Sequence, residues 1–178
     1  EDPPTALMSV ASPNKDVSAL RFAVRGVARK SKDLAASMVF SNILETRLRA
    51  RVPAAHSSDV FVRNEAHFQP GSIVIGFAAG KNEIGSGNGK IEANDLISKA
   101  LVDAVTEAEF QAARSVVSTE WAKRDLEQFW LDLDTYKLTS VDADRSIFDK
   151  VSFDEVRSYA EKARTSPIVS VLVNTPAN

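Results

Sequence analysis

The order of the predicted elements constrains the fold of this chain more than any single motif does. Alternation of apolar and polar residues predicts strands, and apolar residues spaced three or four apart predict helices. Along the chain these patterns give two strands, one helix, two strands, four helices and one last strand. A doubly wound parallel sheet needs strands and helices in regular alternation. We therefore predict an α+β fold: a two-layer sandwich with a mainly antiparallel sheet and helices packed on one face.

Five segments have the pattern of strands. The first is a short stretch between prolines, which is typical of an edge strand. The third and fourth are joined by the turn dipeptide Pro70-Gly71, which predicts a hairpin. The last is a continuous apolar run rich in β-branched residues, which predicts a buried central strand. In order, the predicted strands span residues 6–10, 17–28, 59–68, 72–78 and 168–173.

The predicted helices carry start and stop signals. The first follows Asp33, whose charge suits a helix N-terminus, and Pro53 blocks it after a basic last turn. Two later helices begin with capping boxes, in which a hydroxyl and a Glu three residues on bond each other's backbone amides. The capping boxes are Thr106 with Glu109 and Ser152 with Glu155. Between them lies an amphipathic stretch with Leu126, Phe129, Trp130 and Leu133 as its apolar residues.

The length of 178 residues predicts a single domain over residues 1–178, with an edge strand and a loop in residues 1–15. The chain begins Glu1-Asp2-Pro3-Pro4 and has no initiator Met. It also has no pattern of a signal peptide at this end. We therefore expect it to be a piece of a longer polypeptide.

Composition excludes several classes of function. The chain has no Cys, which excludes disulfide scaffolds, Cys-ligated zinc, iron–sulfur clusters and thiol catalysis. Its formal net charge of −2 argues against nucleic acid or an anionic membrane as the main partner. No apolar run approaches the ~18 residues of a membrane-spanning helix. The compartment stays open, and a bacterial periplasm or cytoplasm is most compatible with the sequence.

Neither of the two His belongs to a zinc motif, because His-Glu-x-x-His and His-x-x-Glu-His are both absent. The nearest arrangement is His56, Glu65 and His67, of which the last two share one face of a predicted strand. If these three residues bind a metal ion, the chain is an independent metal hydrolase. The alternative is that both His side chains are solvated or form local hydrogen bonds. The glycine-rich loop 85–90 fails the P-loop and dinucleotide patterns, so we interpret it as a flexible connector.

A basic run closes the first helix and is the most suggestive feature for binding. Arg47, Arg49 and Arg51 precede a loop that contains His56, and Arg63 lies in the next strand. Arg can hold a peptide carbonyl or a carboxylate with its planar fork of N–H groups. The alternative is that these cations complement the helix dipole and keep the surface solvated.

Several short motifs together carry a family resemblance. They are Asn42-Ile-Leu44, Thr46-Arg-Leu48, the passage 48–57, the segments 105–110 and 151–156, and the strand 168–173. Their order and spacing, over roughly residues 15–174, resemble one half of the pitrilysin/insulinase-type zinc metallopeptidases. This family includes the mitochondrial processing peptidase.

In this family the active half carries His-x-x-Glu-His and a distal Glu, and the second half has the same fold without zinc ligands. The resemblance therefore implies that this chain is the noncatalytic C-terminal half, inactive alone, with no catalytic residue, metal or cofactor of its own. It implies a zinc-bearing homologous half as partner, in the same polypeptide or a separate subunit, and zinc in that half. It also implies a peptide substrate enclosed between the halves, and neither nucleic acid nor membrane as a partner.

The family's second half contacts substrate through an Arg and a Tyr between a helix and a loop. An ungapped match puts Arg49 at the Arg and His56 at the Tyr, whereas a shift of two residues puts Arg51 and Ser58 there. The resemblance thus implies Arg49, Arg51 and His56 as substrate-binding residues. The missing Tyr favours a second hypothesis, a proteolytically inactive scaffold or assembly subunit like the core subunits of respiratory complexes.

Overall fold

The computed structural model describes residues 7–11, 17–80 and 93–174. Its strands are β1 (Leu7–Ala11), β2 (Val17–Arg25), β3 (Phe61–Glu65), β4 (Ser72–Gly80) and β5 (Ile168–Asn174). Its α-helices are α1 (Leu34–Arg51), α2 (Ala93–Val102), α3 (Glu107–Ala122), α4 (Leu126–Tyr136), α5 (Val141–Arg145) and α6 (Phe153–Thr165). Two short 3-10 helices, Ala54–Asp59 and Ile147–Asp149, follow α1 and α5.

The strands form one five-stranded sheet in the order β1-β5-β2-β4-β3. β2 is antiparallel to both of its neighbours, β3 is antiparallel to β4, and only β1 and β5 run parallel. The prediction of a mainly antiparallel α+β sheet is confirmed, as are the edge position of β1 and the β3–β4 hairpin. The sequence missed the short helix α5 and both 3-10 helices, because segments of five, six and three residues are too short to show a period.

The two faces of the sheet differ because the described helices pack against one of them. Leu20, Phe22 and Val24 of β2 are buried together with Ile73 and Ile75 of β4. They belong to one continuous core with the apolar face of α1 and residues of α2, α3 and α6. The residues between them along each strand point to the opposite face and are only half-buried, apart from a buried glycine in β4. We call this opposite side the open face.

The strand β5 illustrates the consequence of this asymmetry. Its central position, between β1 and β2, agrees with the prediction. The predicted full burial is wrong, because Val169 and Val171 are half-exposed. In the register with β2, these residues lie beside Ala23 and Arg21, on the open face. A continuous apolar run therefore does not by itself mean that both faces of a strand are covered.

Both predicted capping boxes are present. Thr106 Oγ1 accepts from the Glu109 amide, and Ser152 Oγ accepts from the Glu155 amide, while each Glu returns a bond to the cap amide. Asp33 precedes α1, but its side chain makes no cap hydrogen bond. It instead pairs with Lys162 of α6 at 2.9 Å, which links the two helices.

Removing the cap at α6 gives a first testable prediction. Ser152→Ala leaves the Glu155 amide without its side-chain acceptor, and we expect the free energy of unfolding to fall by about 1 kcal/mol. Urea unfolding followed by circular dichroism measures the loss. The matched control is Ser158→Ala, an exposed serine in the same helix, which should change the stability by less than about 0.5 kcal/mol. Equal losses in the two variants would contradict the role of the cap.

The prediction for α4 is only partly correct. Phe129 is buried and packs edge-on against Trp121, with ring centroids 6.1 Å apart. Leu126 and Trp130, which share its predicted apolar stripe, are 56% and 57% exposed. Phe129 therefore attaches α4 to α3, and Leu133 is half-buried, whereas Leu126 and Trp130 face outward.

Candidate functional site

The basic run at the end of α1 divides between two sides of the helix. Residues two apart on an α-helix are separated by about 200° and residues four apart by about 40°. Arg47 and Arg51 therefore point toward the connection between α2 and α3, whereas Arg49 points toward β3. The two alignment registers of the family resemblance thus select side chains on different sides of the helix.

Arg47 is buried and its hydrogen bonding is saturated. It is 8% exposed, and its guanidinium donates to both carboxylate oxygens of Glu109, at 2.7 and 2.8 Å. It also donates to the carbonyl oxygens of Ala100, Asp103 and Ala104, each at 2.9 Å. These bonds use all five N–H donors of the side chain. Arg47 therefore holds the end of α2 and the loop between α2 and α3 in place. No sequence signal distinguishes this role from those of Arg49 and Arg51.

Arg49 contacts the edge strand of the sheet. Its Nε and Nη2 donate to the carbonyl oxygen of Val60 at 3.2 Å, and Nη2 lies 2.8 Å from Glu45 Oε1. The other oxygen of Glu45 accepts from the Val62 amide at 2.9 Å. Glu45 and Arg49 thus occupy backbone groups that an added strand would need at this edge. The pair closes part of the β3 edge to strand addition.

The other two predicted substrate-binding residues also have partners within the chain. Arg51 forms an ion pair with Asp103 at the end of α2. His56 lies in the 3-10 helix before β3, with its Nδ1 3.4 Å from Asp59 Oδ2. Arg49, Arg51 and His56 therefore each face a different carboxylate. Their role as peptide contacts stays a prediction.

The residues of the alternative metal site lie apart. His56 precedes β3, whereas Glu65 ends this strand and His67 follows it, so the strand separates them. Within residues 7–11, 17–80 and 93–174, no three His, Cys, Asp or Glu side chains are grouped in a way that could hold a metal ion. The described part of this chain therefore does not fit a catalytic zinc ion, and we derive no step through one. The glycine-rich loop 85–90 lies outside the described residues.

The open face of the sheet contains a cluster that the sequence analysis did not identify. Arg21, Gly76 and Phe61 lie side by side on three adjacent strands. A Cβ atom at Gly76 would lie 2.2 Å from the Phe61 ring, so the absence of a side chain lets this ring lie over β4. The ring thereby reaches Arg21, two strands away. The register of β2, β3 and β4 was the missing information, because none of the three residues is unusual in its own strand.

Two arginines contact the same ring. The guanidinium carbons of Arg21 and Arg63 lie 4.9 and 4.7 Å from the centroid of Phe61, which is cation–π geometry. Burial, and next the charge of Arg63, lower the pKa of Arg21. Arg21 also donates to the carbonyl oxygens of Leu20 and Phe77, at 3.1 and 2.8 Å. We call this arrangement the Arg21–Phe61–Arg63 stack.

Neither arginine of the stack forms an ion pair within the described ranges of the chain. The contacts of Arg63 there are with the ring alone, and those of Arg21 are with the ring and two carbonyl oxygens. The contrast with Arg47 is informative, because every donor of that buried arginine is used. The stack therefore places two positive charges side by side on the open face, with the exposed Glu65 at the end of β3, and it attracts carboxylates and other anions.

Comparisons with known proteins identify the fold. No family model and no curated protein matches the sequence. A peptidase M16 inactive domain from Pseudomonas fluorescens matches with a TM-score of 0.78 and 15% identity, over 99% of this chain and 45% of that chain. The periplasmic protease PqqL from Escherichia coli matches with a TM-score of 0.68 and 15% identity, over 96% of this chain and 20% of that chain.

A third similar structure is complex III2 from Candida albicans with Inz-5 bound. It matches with a TM-score of 0.66 and 14% identity, over 95% of this chain and 45% of that chain. This chain spans less than half the length of each of these three proteins. The predicted resemblance is confirmed for the fold, which is similar to that of part of a peptidase M16 inactive domain. At these identities the likeness shows the fold and not the activity.

None of the helices within the described ranges is both long and apolar enough to cross a bilayer.

Proposed function

We propose that this chain is the noncatalytic half of a zinc-dependent metallopeptidase, which encloses and positions a peptide for a zinc-bearing partner half. The observation that carries the proposal is the match of almost the whole chain to less than half of an inactive peptidase domain structure. A second, homologous half would account for the remaining length. The partner would hold the zinc, activate water and cleave the peptide bond.

The open face suits the wall of such a chamber. It is the side of the sheet that the described helices leave half-exposed, and Ala23 and Val74 present short side chains there, next to the Phe61 ring that covers Gly76. The β3 edge is less suited to bind an extended peptide by strand addition, because Glu45 and Arg49 already occupy part of it. A peptide would therefore be held mainly by side-chain contacts on this face.

Arg49, Arg51 and His56, in the last turn of α1 and the 3-10 helix that follows it, remain proposed peptide contacts. Among the described residues, the bonds of Arg49 use Nε and Nη2, so Nη1 is the donor group proposed for a further acceptor. Contact by Arg51 or His56 would compete with Asp103 or Asp59, both of which are exposed. A bacterial periplasm or cytoplasm stays our proposed compartment, with the likeness to one periplasmic protease as support.

A zinc titration of the purified chain tests its noncatalytic character. We expect isothermal titration calorimetry to show no tight stoichiometric zinc binding, because His56 and His67 lie on either side of β3. The same sample should not hydrolyse a fluorogenic peptide library at any zinc concentration. The control is His67→Ala, which should give the same titration curve. One tight zinc per chain that this substitution removes would instead support the metal hydrolase.

A second candidate function is a scaffold or assembly subunit that has the fold without taking part in proteolysis. The observations that favour it are the likeness to a chain of complex III2 and the engagement of Arg49 within its own domain. The two functions differ in their partners. A peptidase half requires a zinc-bearing partner with His-x-x-Glu-His, whereas a scaffold subunit would purify with an assembly that lacks this motif.

A further inference from the structure

The Arg21–Phe61–Arg63 stack places two like charges on one ring. Two guanidinium groups repel each other across the ring, and Arg63 contributes to lowering the pKa of Arg21. Cation–π contact neutralises neither charge. A bound carboxylate would remove the repulsion and gain charge-assisted hydrogen bonds, so the free stack lacks a favourable interaction that an anionic ligand can supply.

The geometry leaves donor atoms available for such a ligand. No hydrogen bond within the described ranges uses Nε or Nη2 of Arg21, or any donor of Arg63. The two residues differ in exposure, since Arg21 is half-buried and Arg63 is exposed. A carboxylate that reaches Arg21 is therefore partly removed from water, where its attraction to the guanidinium is stronger than in bulk solvent.

The surroundings of the stack favour a chain in an extended conformation. Ala23 and Val74 form the next row of the open face, beside the Phe61 ring that covers Gly76. A backbone can approach such a surface closely, and its side chains can reach sideways to the arginines.

We infer that the Arg21–Phe61–Arg63 stack binds the carboxylate side chains of an acidic peptide that lies extended across the open face. The inference rests on the proposed function only in identifying this peptide as a substrate. Binding itself is a property of this chain alone. In the proposed chamber, the stack would select peptide segments that contain Asp or Glu.

The test uses a fluorescein-labelled ten-residue peptide in which glutamate alternates with threonine, and fluorescence anisotropy with the full chain. We expect this peptide to bind at least about tenfold more tightly than the matched peptide with glutamine, because one or two charge-assisted hydrogen bonds contribute this much. The preference should shrink as salt is raised. A matched peptide with lysine should not bind.

Variants assign the preference to the stack. Arg63→Gln changes an exposed side chain and should weaken binding of the glutamate peptide severalfold, while Arg21→Gln combined with Arg63→Gln should abolish the preference. The control is Arg114→Gln in α3, since Arg114 lies over a different ring, 5.6 Å from the centroid of Phe110. Circular dichroism melting verifies that each variant is folded. If the double variant does not fold, the effect of Arg63→Gln alone decides whether the stack binds the glutamate peptide.

Equal affinity for the glutamate and glutamine peptides would overturn the inference. So would a preference that survives Arg63→Gln unchanged or that disappears in Arg114→Gln. The result is separate from the proposed function. If a partner half proves fully active without this chain, the proposed function is wrong but the measured preference for the glutamate peptide still stands. If hydrolysis needs both halves but the preference is absent, the proposed function stands and only the inferred acidic selectivity is wrong.

Discussion

Replacement of Arg47 by alanine is expected to lower the free energy of unfolding by about 3–5 kcal/mol, a large part of the stability of a typical domain. The substitution removes the donor from one carbonyl oxygen in the last turn of α2 and from two in the α2–α3 loop, and it removes the cation from Glu109. Groups left buried without a partner cost more than the hydrogen bonds themselves contribute. Urea unfolding at pH 7 measures the loss.

Arg47→Lys separates charge from shape. A lysine ammonium has three donors on a single atom and cannot reproduce the planar fork, so most of the destabilisation should remain. The matched controls are Arg49→Ala and Arg51→Ala in the same basic run, which should each lose about 1 kcal/mol or less because both side chains are more exposed. Similar losses at all three positions would contradict the distinct role of Arg47.

The pH dependence of stability should reveal the same contact. Hydrogen bonds from Arg47, followed by those from Thr106, lower the pKa of Glu109 to about 2 although partial burial acts in the opposite direction. The pKa of Glu109 is lower in the folded chain than in the unfolded chain. The ionised Glu109 therefore contributes its full stabilisation of the fold above about pH 4.5, and this stabilisation is lost as the pH falls toward 2. When the pH is lowered from 4.5 to 3, the free energy of unfolding should therefore fall less in Arg47→Ala than in the unsubstituted chain.

The second large effect is expected for Arg29, which lies between β2 and α1. It is 6% exposed and donates to Asp144 Oδ2 at 2.6 Å and to Asp132 Oδ2 at 3.1 and 3.3 Å. Its guanidinium carbon also lies 5.0 Å from the centroid of the Trp121 ring. Burial alone would lower the pKa of Arg29, but the bonds to Asp144 and then Asp132 raise it. The arginine therefore connects α4 and α5 to the loop that follows β2.

Arg29→Met should destabilise the chain by about 3–5 kcal/mol, because the Asp144 carboxylate stays buried without its cation. Adding Asp144→Leu removes this uncompensated charge and should recover more than half of the loss. A double-mutant cycle, with each single variant measured by urea unfolding, gives the coupling between the two side chains. If the double variant is as unstable as the sum of the single variants predicts, the buried ion pair is not the cause.

The sequence predicted the architecture well because the signals were local. Capping boxes at Thr106 and Ser152 depend on residues three apart, and the strand patterns depend on alternate residues, so both are visible without knowledge of the fold. The antiparallel sheet followed from the order of these elements. Burial of Val169 and of Trp130 was less predictable, because it depends on what covers a strand or helix from outside.

The candidate site was less accessible to sequence reasoning. Arg47, Arg49 and Arg51 look equivalent as a basic run, yet one is buried, one holds the β3 edge and one pairs with the end of α2. The Arg21–Phe61–Arg63 stack depends on the register of three strands and on one glycine between them. No pattern along the chain brings these residues together, since 40 positions separate Arg21 from Phe61.

The most direct test of the proposed function is peptide hydrolysis by a reconstituted pair. The zinc-bearing half with His-x-x-Glu-His encoded in the same or the neighbouring gene is purified separately, loaded with zinc and assayed on a fluorogenic peptide library, with and without an equimolar amount of this chain. We predict negligible hydrolysis by either half alone and an increase of at least about 100-fold on mixing, because positioning contributes strongly to rate. Equal hydrolysis with and without this chain, or hydrolysis by this chain alone, would contradict it.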